Sequence, residues 1–147
     1  MKPRRVAFLG FDGVNALDLT GPSEVFASAL VEAGGTLRPG YSISILGVTG
    51  RSIRSESGLL LRPHLPLGAK LDIDTLIVPG GHGLRVPSVN ARVAKWIRSR
   101  EPGIRRVASV CTGIYGLAAT GLLDGRRVTT HWRFVNDVAE KFPGLKV

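Results

Sequence analysis

Arg105-Arg106-Val107-Ala108-Ser109-Val110-Cys111-Thr112-Gly113-Ile114-Tyr115-Gly116-Leu117-Ala118-Ala119 is the stretch on which the reading of this chain turns. Residues 107–110 are small and mostly apolar, the composition of a central strand covered on both faces. Gly113, Gly116 and an apolar series at helical spacing (Ile114, Leu117, Ala118, Leu122) follow at once. A nucleophile at such a strand-to-helix turn is the arrangement of the G-x-S-x-G elbow, with Ser109 here replacing the first glycine and cysteine replacing serine. Amides at the start of the following helix would favour thiolate over thiol. A lone cysteine can equally be a buried packing residue. The elbow context favours the functional reading for Cys111.

Around the elbow, strand and helix patterns alternate, which predicts an α/β fold with a mostly parallel sheet and helices on both faces. Residues 5–10 read as the first strand. Pro22 suits a first helical position, with Val25, Phe26, Ala29 and Leu30 as the buried stripe and Gly34 and Gly35 as the stop. Residues 41–48 form a second strand, and residues 52–61 a small hairpin-like excursion turning near Ser57 and Gly58. A buried strand over 74–78 runs into Pro79-Gly80-Gly81-His82-Gly83. A helix carrying Val89, Val93, Trp96 and Ile97 comes next. Past the elbow, 127–129 reads as a short strand ending at Thr130-His131-Trp132, and a last helix carries Phe134, Val135, Val138 and Phe142. The final Leu145-Lys146-Val147 looks like the opening of a strand, so we expect one domain over 1–147, truncated at its C-terminus.

The chain has 147 residues, enough for one core without staples. Its single cysteine cannot close an internal disulfide, and no apolar run approaches the roughly 20 residues of a membrane span. A cytoplasmic protein with no membrane partner is expected. The net charge of +9 is spread over scattered arginines, with no recognition helix or aromatic platform beside them, and reads as a solvated basic surface.

In a parallel sheet, ligands gather outside the carboxyl ends of the strands. Three loops should therefore converge: the one with Asp18, the Gly80 and Gly81 turn, and the Cys111 elbow. Gly80 and Gly81 let backbone amides approach a ligand, and with the amide after Cys111 they would make an oxyanion hole. Asp18 is a candidate acid–base group or a helix cap. Thr112 can cap the elbow helix or donate to a ligand. His131 ends a strand within reach of the site, though a packed or surface histidine accounts for it as well. Glu24 is explained by the helix dipole alone. His64 and His82 lack metal-ligand spacing to Cys111, so neither metal nor cofactor is expected.

These motifs resemble the DJ-1/PfpI (ThiJ, class I glutamine amidotransferase-like) superfamily. The resemblance rests on LDLTGP-x-E-V-F, PGG, SVCTG and TTHW, and runs from Arg5 to the end of the chain. It implies a flavodoxin-like three-layer sandwich that usually dimerises. Two branches share the motifs: sensor domains of AraC-family (GlxA-type) transcription regulators, and isocyanide hydratases. In the hydratases the resemblance implies Cys111 as nucleophile, Thr112 as its assistant and Asp18 as the proton-handling group. In the regulators it implies capture of an unknown small molecule, with DNA bound only through a C-terminal helix-turn-helix part that this sequence does not contain. Thr112 stands where PfpI-type peptidases carry histidine, which argues against a peptidase. A redox role for Cys111 through sulfenic or sulfinic acid is a further possibility. The continuation through Arg133, Phe134 and Phe142 favours the regulators.

Overall fold

The computed structural model describes residues 2–147. In chain order it contains β1 (Arg4–Gly10), α1 (Ala16–Ser28), β2 (Leu30–Ala33), β3 (Thr36–Pro39), β4 (Tyr41–Gly47), β5 (Ile53–Arg54), β6 (Leu60–Leu61), β7 (Leu65–Pro66), β8 (Thr75–Val78), α2 (Pro87–Arg100), β9 (Arg106–Ser109), α3 (Ile114–Ala118) and α4 (Val135–Lys141). Short 3₁₀ turns occupy His82–Arg85, Glu101–Gly103, Cys111–Gly113 and Trp132–Phe134. The main sheet has the order β7-β4-β1-β8-β9, and every pairing in it is parallel.

β1 lies at the centre because Val6, Ala7, Phe8 and Leu9 are apolar without a break, so the strand can be buried on both faces. Leu76, Ile77 and Val78 of β8 repeat the pattern. β1 pairs with β4 from Arg4 opposite Tyr41 to Gly10 opposite Gly47. At the opposite end of the sheet, Arg105 makes a two-pronged ion pair with Asp74 at 2.6 and 2.8 Å, which joins the starts of β8 and β9. That guanidinium, rather than the modest burial opposing it, holds the Asp74 carboxyl down at about 2.

Several local expectations change. α1 begins at Ala16, six residues before Pro22, because Asn15 Oδ1 accepts from the amides of Leu17 (3.0 Å) and Asp18 (3.2 Å) and caps the helix there. Pro22 therefore sits inside the helix, where it lacks the N–H that would bond the Asp18 carbonyl. Gly34 and Gly35 do not stop a helix. Both have positive φ (61° and 76°) and turn an antiparallel hairpin of β2 and β3. Val25 and Leu30 are not buried; Val25 is 69% exposed, and the inner face of α1 is made by Leu19 and Ser23. The strand expected at 127–129 reduces to an isolated parallel bridge of Arg127 with Lys146. α3 ends at Ala118, leaving Leu122 outside it. Phe134 lies in the 3₁₀ turn before α4 and Phe142 just after it.

Candidate functional site

From β1 the chain passes through α1 to β4 on one side, and from β8 through α2 to β9 on the other. Right-handed crossovers in opposite directions put α1 and α2 on opposite faces of the sheet. The loops leaving β1 and β8 diverge between these neighbouring strands, which opens the crevice where such sheets take their ligands. The two loops are joined across it: Asn15 N donates to Gly80 O (2.8 Å) and Gly83 N to Gly13 O (3.2 Å).

The elbow lies on the β9 side of that crevice. Cys111 has φ 54°, and among the described residues it is the one non-glycine with positive φ. A conformation of this kind costs about 1–3 kcal/mol and persists only where its surroundings over-determine it. Here Val110 N donates to Val78 O (3.0 Å), and Gly113 N to Val110 O (2.8 Å). Thr130 Oγ1 donates to Cys111 O (3.1 Å). Gly113 lies against the Val78 carbonyl so closely that a Cβ would collide with it. The sharp turn is thus held from β8, from the turn itself and from the segment at Thr130.

Asp18, Thr112, Gly80 and Gly81 meet beside the elbow. Gly80 N donates to Asp18 Oδ2 at 3.2 Å, and Gly81 N donates to Thr112 Oγ1 at 2.9 Å. Gly80 is required by space: a Cβ there would lie 2.5 Å from Asp18 Oδ2 and 2.8 Å from Thr112 Oγ1. Gly81 is required by its φ of 135°. The oxyanion hole expected from the sequence is not formed as drawn. Both glycine amides are already engaged, one by a carboxylate and the other by a hydroxyl.

The expected thiolate is also reversed. Burial pushes the Cys111 thiol up from its ordinary value, and the negative charge of Asp18 adds to that. Hydrogen bonds from the Thr112 amide and hydroxyl act the other way but are outweighed. The reason is local: a single 3₁₀ turn and a five-residue helix follow the cysteine, while a carboxylate stands beside it.

The hydrogen bond and ring contacts of His131 are with its own segment. Its Nδ1 accepts from Arg133 N (3.2 Å), and its ring stacks on Trp132 at 5.5 Å and meets Phe134 edge-on at 5.8 Å. Its neighbour Thr130 bonds the elbow directly. His64 Nδ1 accepts from Ile45 N, and His82 Nδ1 faces Glu56 Oε1. Three residues of the assembly were missed in the sequence: Asn15, Glu56 and Thr130. Asn15 could have been found as an N-cap two residues before Leu17. Glu56 and Thr130 act through contacts across 26 and 19 positions and leave no local signal.

The family model described as the DJ-1/PfpI family matches residues 4–144. The chain is 39% identical over 141 residues to a Streptomyces lividans protein named for the cpoL 5′ region, covering 96% of each. It is 35% identical to isonitrile hydratase from Pseudomonas putida, over 88% of this chain and 53% of the hydratase. To the HTH-type transcriptional regulator GbdR of Pseudomonas aeruginosa it is 30% identical, over 96% of this chain and 37% of the regulator. A ThiJ/PfpI family structure from Pseudomonas syringae superposes with a TM-score of 0.77 at 27% identity, covering all of this chain and 57% of that one. The motifs, the parallel sheet, the strained elbow and these likenesses agree: the chain belongs to the DJ-1/PfpI family.

Proposed function

We propose that this chain is a small-molecule-sensing domain of an AraC-type transcription regulator, working in the cytoplasm, with its DNA contacts made by another part of that protein. The carrying observation is the state of the elbow. A cysteine nucleophile draws on a resting thiolate or an adjacent base, and on free oxyanion donors. Cys111 is instead held toward the neutral thiol, and the Gly80 and Gly81 amides are bound to Asp18 and Thr112. Such a cage suits a pocket that holds a ligand better than one that attacks it. The likeness to the regulator supports this reading, and the chain spans little more than a third of that protein's length. No helix among the described residues is long and apolar enough to cross a membrane.

Output from the site would run through α1. Asp18 stands in the first turn of this helix, at the crevice, and the helix exposes Leu17 and Val25, which are 74% and 69% accessible. Leu30 and Leu37 share one face of the β2–β3 hairpin and are both exposed; we assign these exposed apolar residues, with those of α1, to a homodimer contact. A ligand that moves Asp18 would then bias the pairing, by as much as its affinities for the two arrangements differ. Val25→Asp with Leu37→Asp should leave the protein folded and convert a dimer to a monomer in sedimentation velocity. An unchanged sedimentation coefficient would assign the contact elsewhere.

The ligand site is tested by thermal unfolding with a panel of small amino-acid, amine and carboxylate metabolites. One class should stabilise the protein saturably, by about 1–3 kcal/mol at 10- to 100-fold over Kd. Gly80→Ala, whose Cβ enters the space between Asp18 and Thr112, should remove the effect. Stabilisation that survives this variant would place binding elsewhere. A second reading, a hydratase with Cys111 as nucleophile, Thr112 assisting and Asp18 handling protons, draws on the hydratase relative and on the strain at Cys111.

A further inference from the structure

Glu56 lies in the excursion between β5 and β6, far from the elbow in sequence, yet its carboxylate touches both loops of the crevice. Oε1 accepts from the backbone amide of His82 at 2.7 Å and faces His82 Nδ1 at 3.2 Å. Oε2 accepts from Asn15 Nδ2 at 3.4 Å. The excursion is itself fastened to the first loop. Glu56 N donates to Val14 O (2.9 Å), Gly13 N to Arg54 O (2.7 Å), and Arg54 N to Asp12 Oδ1 (2.7 Å). The His82 ring lies over Gly13, where a Cβ would stand 2.6 Å from its Nε2.

We propose that Glu56 is the positioning residue of the site, fixing the Gly80 and Gly81 turn from outside and tying it to the cap of α1. The inference rests on the reading of Asp18, Gly80, Thr112 and Cys111 as the site. Successive peptide groups of the turn are pinned. The Gly80 amide is held by Asp18, the Gly80 carbonyl by Asn15 N, the Gly81 amide by Thr112, and the His82 amide by Glu56. Asn15 caps the helix that carries Asp18 and also donates to Glu56. One carboxylate therefore sets both halves of the Asp18–Gly80 contact. Without it the turn can rotate at Gly81, the Gly80 amide leaves Asp18, and Asp18 is no longer held beside the sulfur. The titratable and charged groups on the packed elements are Asp12 on the first loop, Asp18 and Glu24 on α1, Arg54 on the excursion, and His82 and Arg85 on the turn.

The test is the pH dependence of Cys111 alkylation by iodoacetamide in the intact chain. Glu56→Ala should move the midpoint in the same direction as Asp18→Asn, by a smaller amount of about 0.3–0.5 pH units. The double variant should go no further than Asp18→Asn alone, since both act through one contact. Glu56→Gln keeps an acceptor oxygen for the His82 amide and should restore most of the wild-type profile. Glu56→Asp is one methylene short and carries the alanine prediction if the alanine variant does not fold. A midpoint that stays at the wild-type value in Glu56→Ala or Glu56→Asp, whatever happens to the melting temperature, reduces Glu56 to a stabilising contact and overturns the proposal. A glutamine variant as shifted as the alanine one overturns it too. If Asp18→Asn moves the midpoint and the Glu56 variants do not, the proposal alone fails. If Asp18→Asn also leaves it unmoved, the reading of the site fails with it.

Discussion

Gly113→Ala should destabilise the protein by about 3 kcal/mol or more, among the largest effects of any single methyl added to this chain. The added Cβ would collide with the Val78 carbonyl and crowd the peptide that follows it. Neither can retreat. Val78 is fully buried, and its carbonyl accepts from Val110 N. The elbow would have to lift away from β8, breaking the bond that fixes the turn before Cys111. Gly103→Ala is the internal control, because nothing lies within 4 Å of a Cβ built there. It should change stability by no more than about 0.5 kcal/mol. Urea midpoints at constant m-value decide the matter. If the two variants unfold alike, the close approach of the elbow to β8 is not what holds it.

Asp18→Asn should make Cys111 more reactive, the reverse of what a proton-handling partner would do. In the native chain burial raises the thiol first and the Asp18 charge second. Replacing the carboxylate by an amide removes the second cause and leaves the first. The alkylation midpoint should fall by about 0.5–1 pH units while staying above that of an exposed cysteine. Below the midpoint the thiolate fraction then rises, and the rate with iodoacetamide at pH 8 should increase about three- to tenfold. The asparagine oxygen can still accept from Gly80 N, so the geometry is kept. A rate that falls would mean that Asp18 promotes thiolate formation, the behaviour expected of the hydratase reading.

What the sequence disclosed and what it hid have separate physical causes. The sheet was legible because strands buried on both faces must be apolar without interruption, as in residues 6–9 and 76–78. The same reading fails for residues 107–110, because β9 is an edge strand of the described sheet and is exposed or half-buried along its length. The elbow was legible because small residues, a nucleophile and glycines stand together. The start of α1 differs from the expected one because a proline at a first helical position is a weaker signal than the cap of Asn15, seven residues earlier. The hairpin at Gly34 and Gly35 was hidden because exposed strands of four residues carry no core-facing alternation. Cys111, Asp18, Thr112, Gly80 and Gly81 were named from the sequence and are brought together. Their electrostatics could not be read there: the rise of the thiol depends on how deeply Cys111 is set and on a carboxylate 93 positions away. Glu56 was out of reach altogether, since only the tertiary path of the excursion brings it to the turn.

In this reading the Cys111 crevice holds a ligand and does not transform one. This is tested most directly by incubating the full-length protein with a panel of isocyanides and measuring N-formyl amine by mass spectrometry, with Cys111→Ala in parallel. No product above that of the alanine variant is expected, from a sample that still shows a metabolite-induced rise in melting temperature. Product formed over many turnovers by the wild type and abolished in Cys111→Ala would contradict it and make the chain a hydratase.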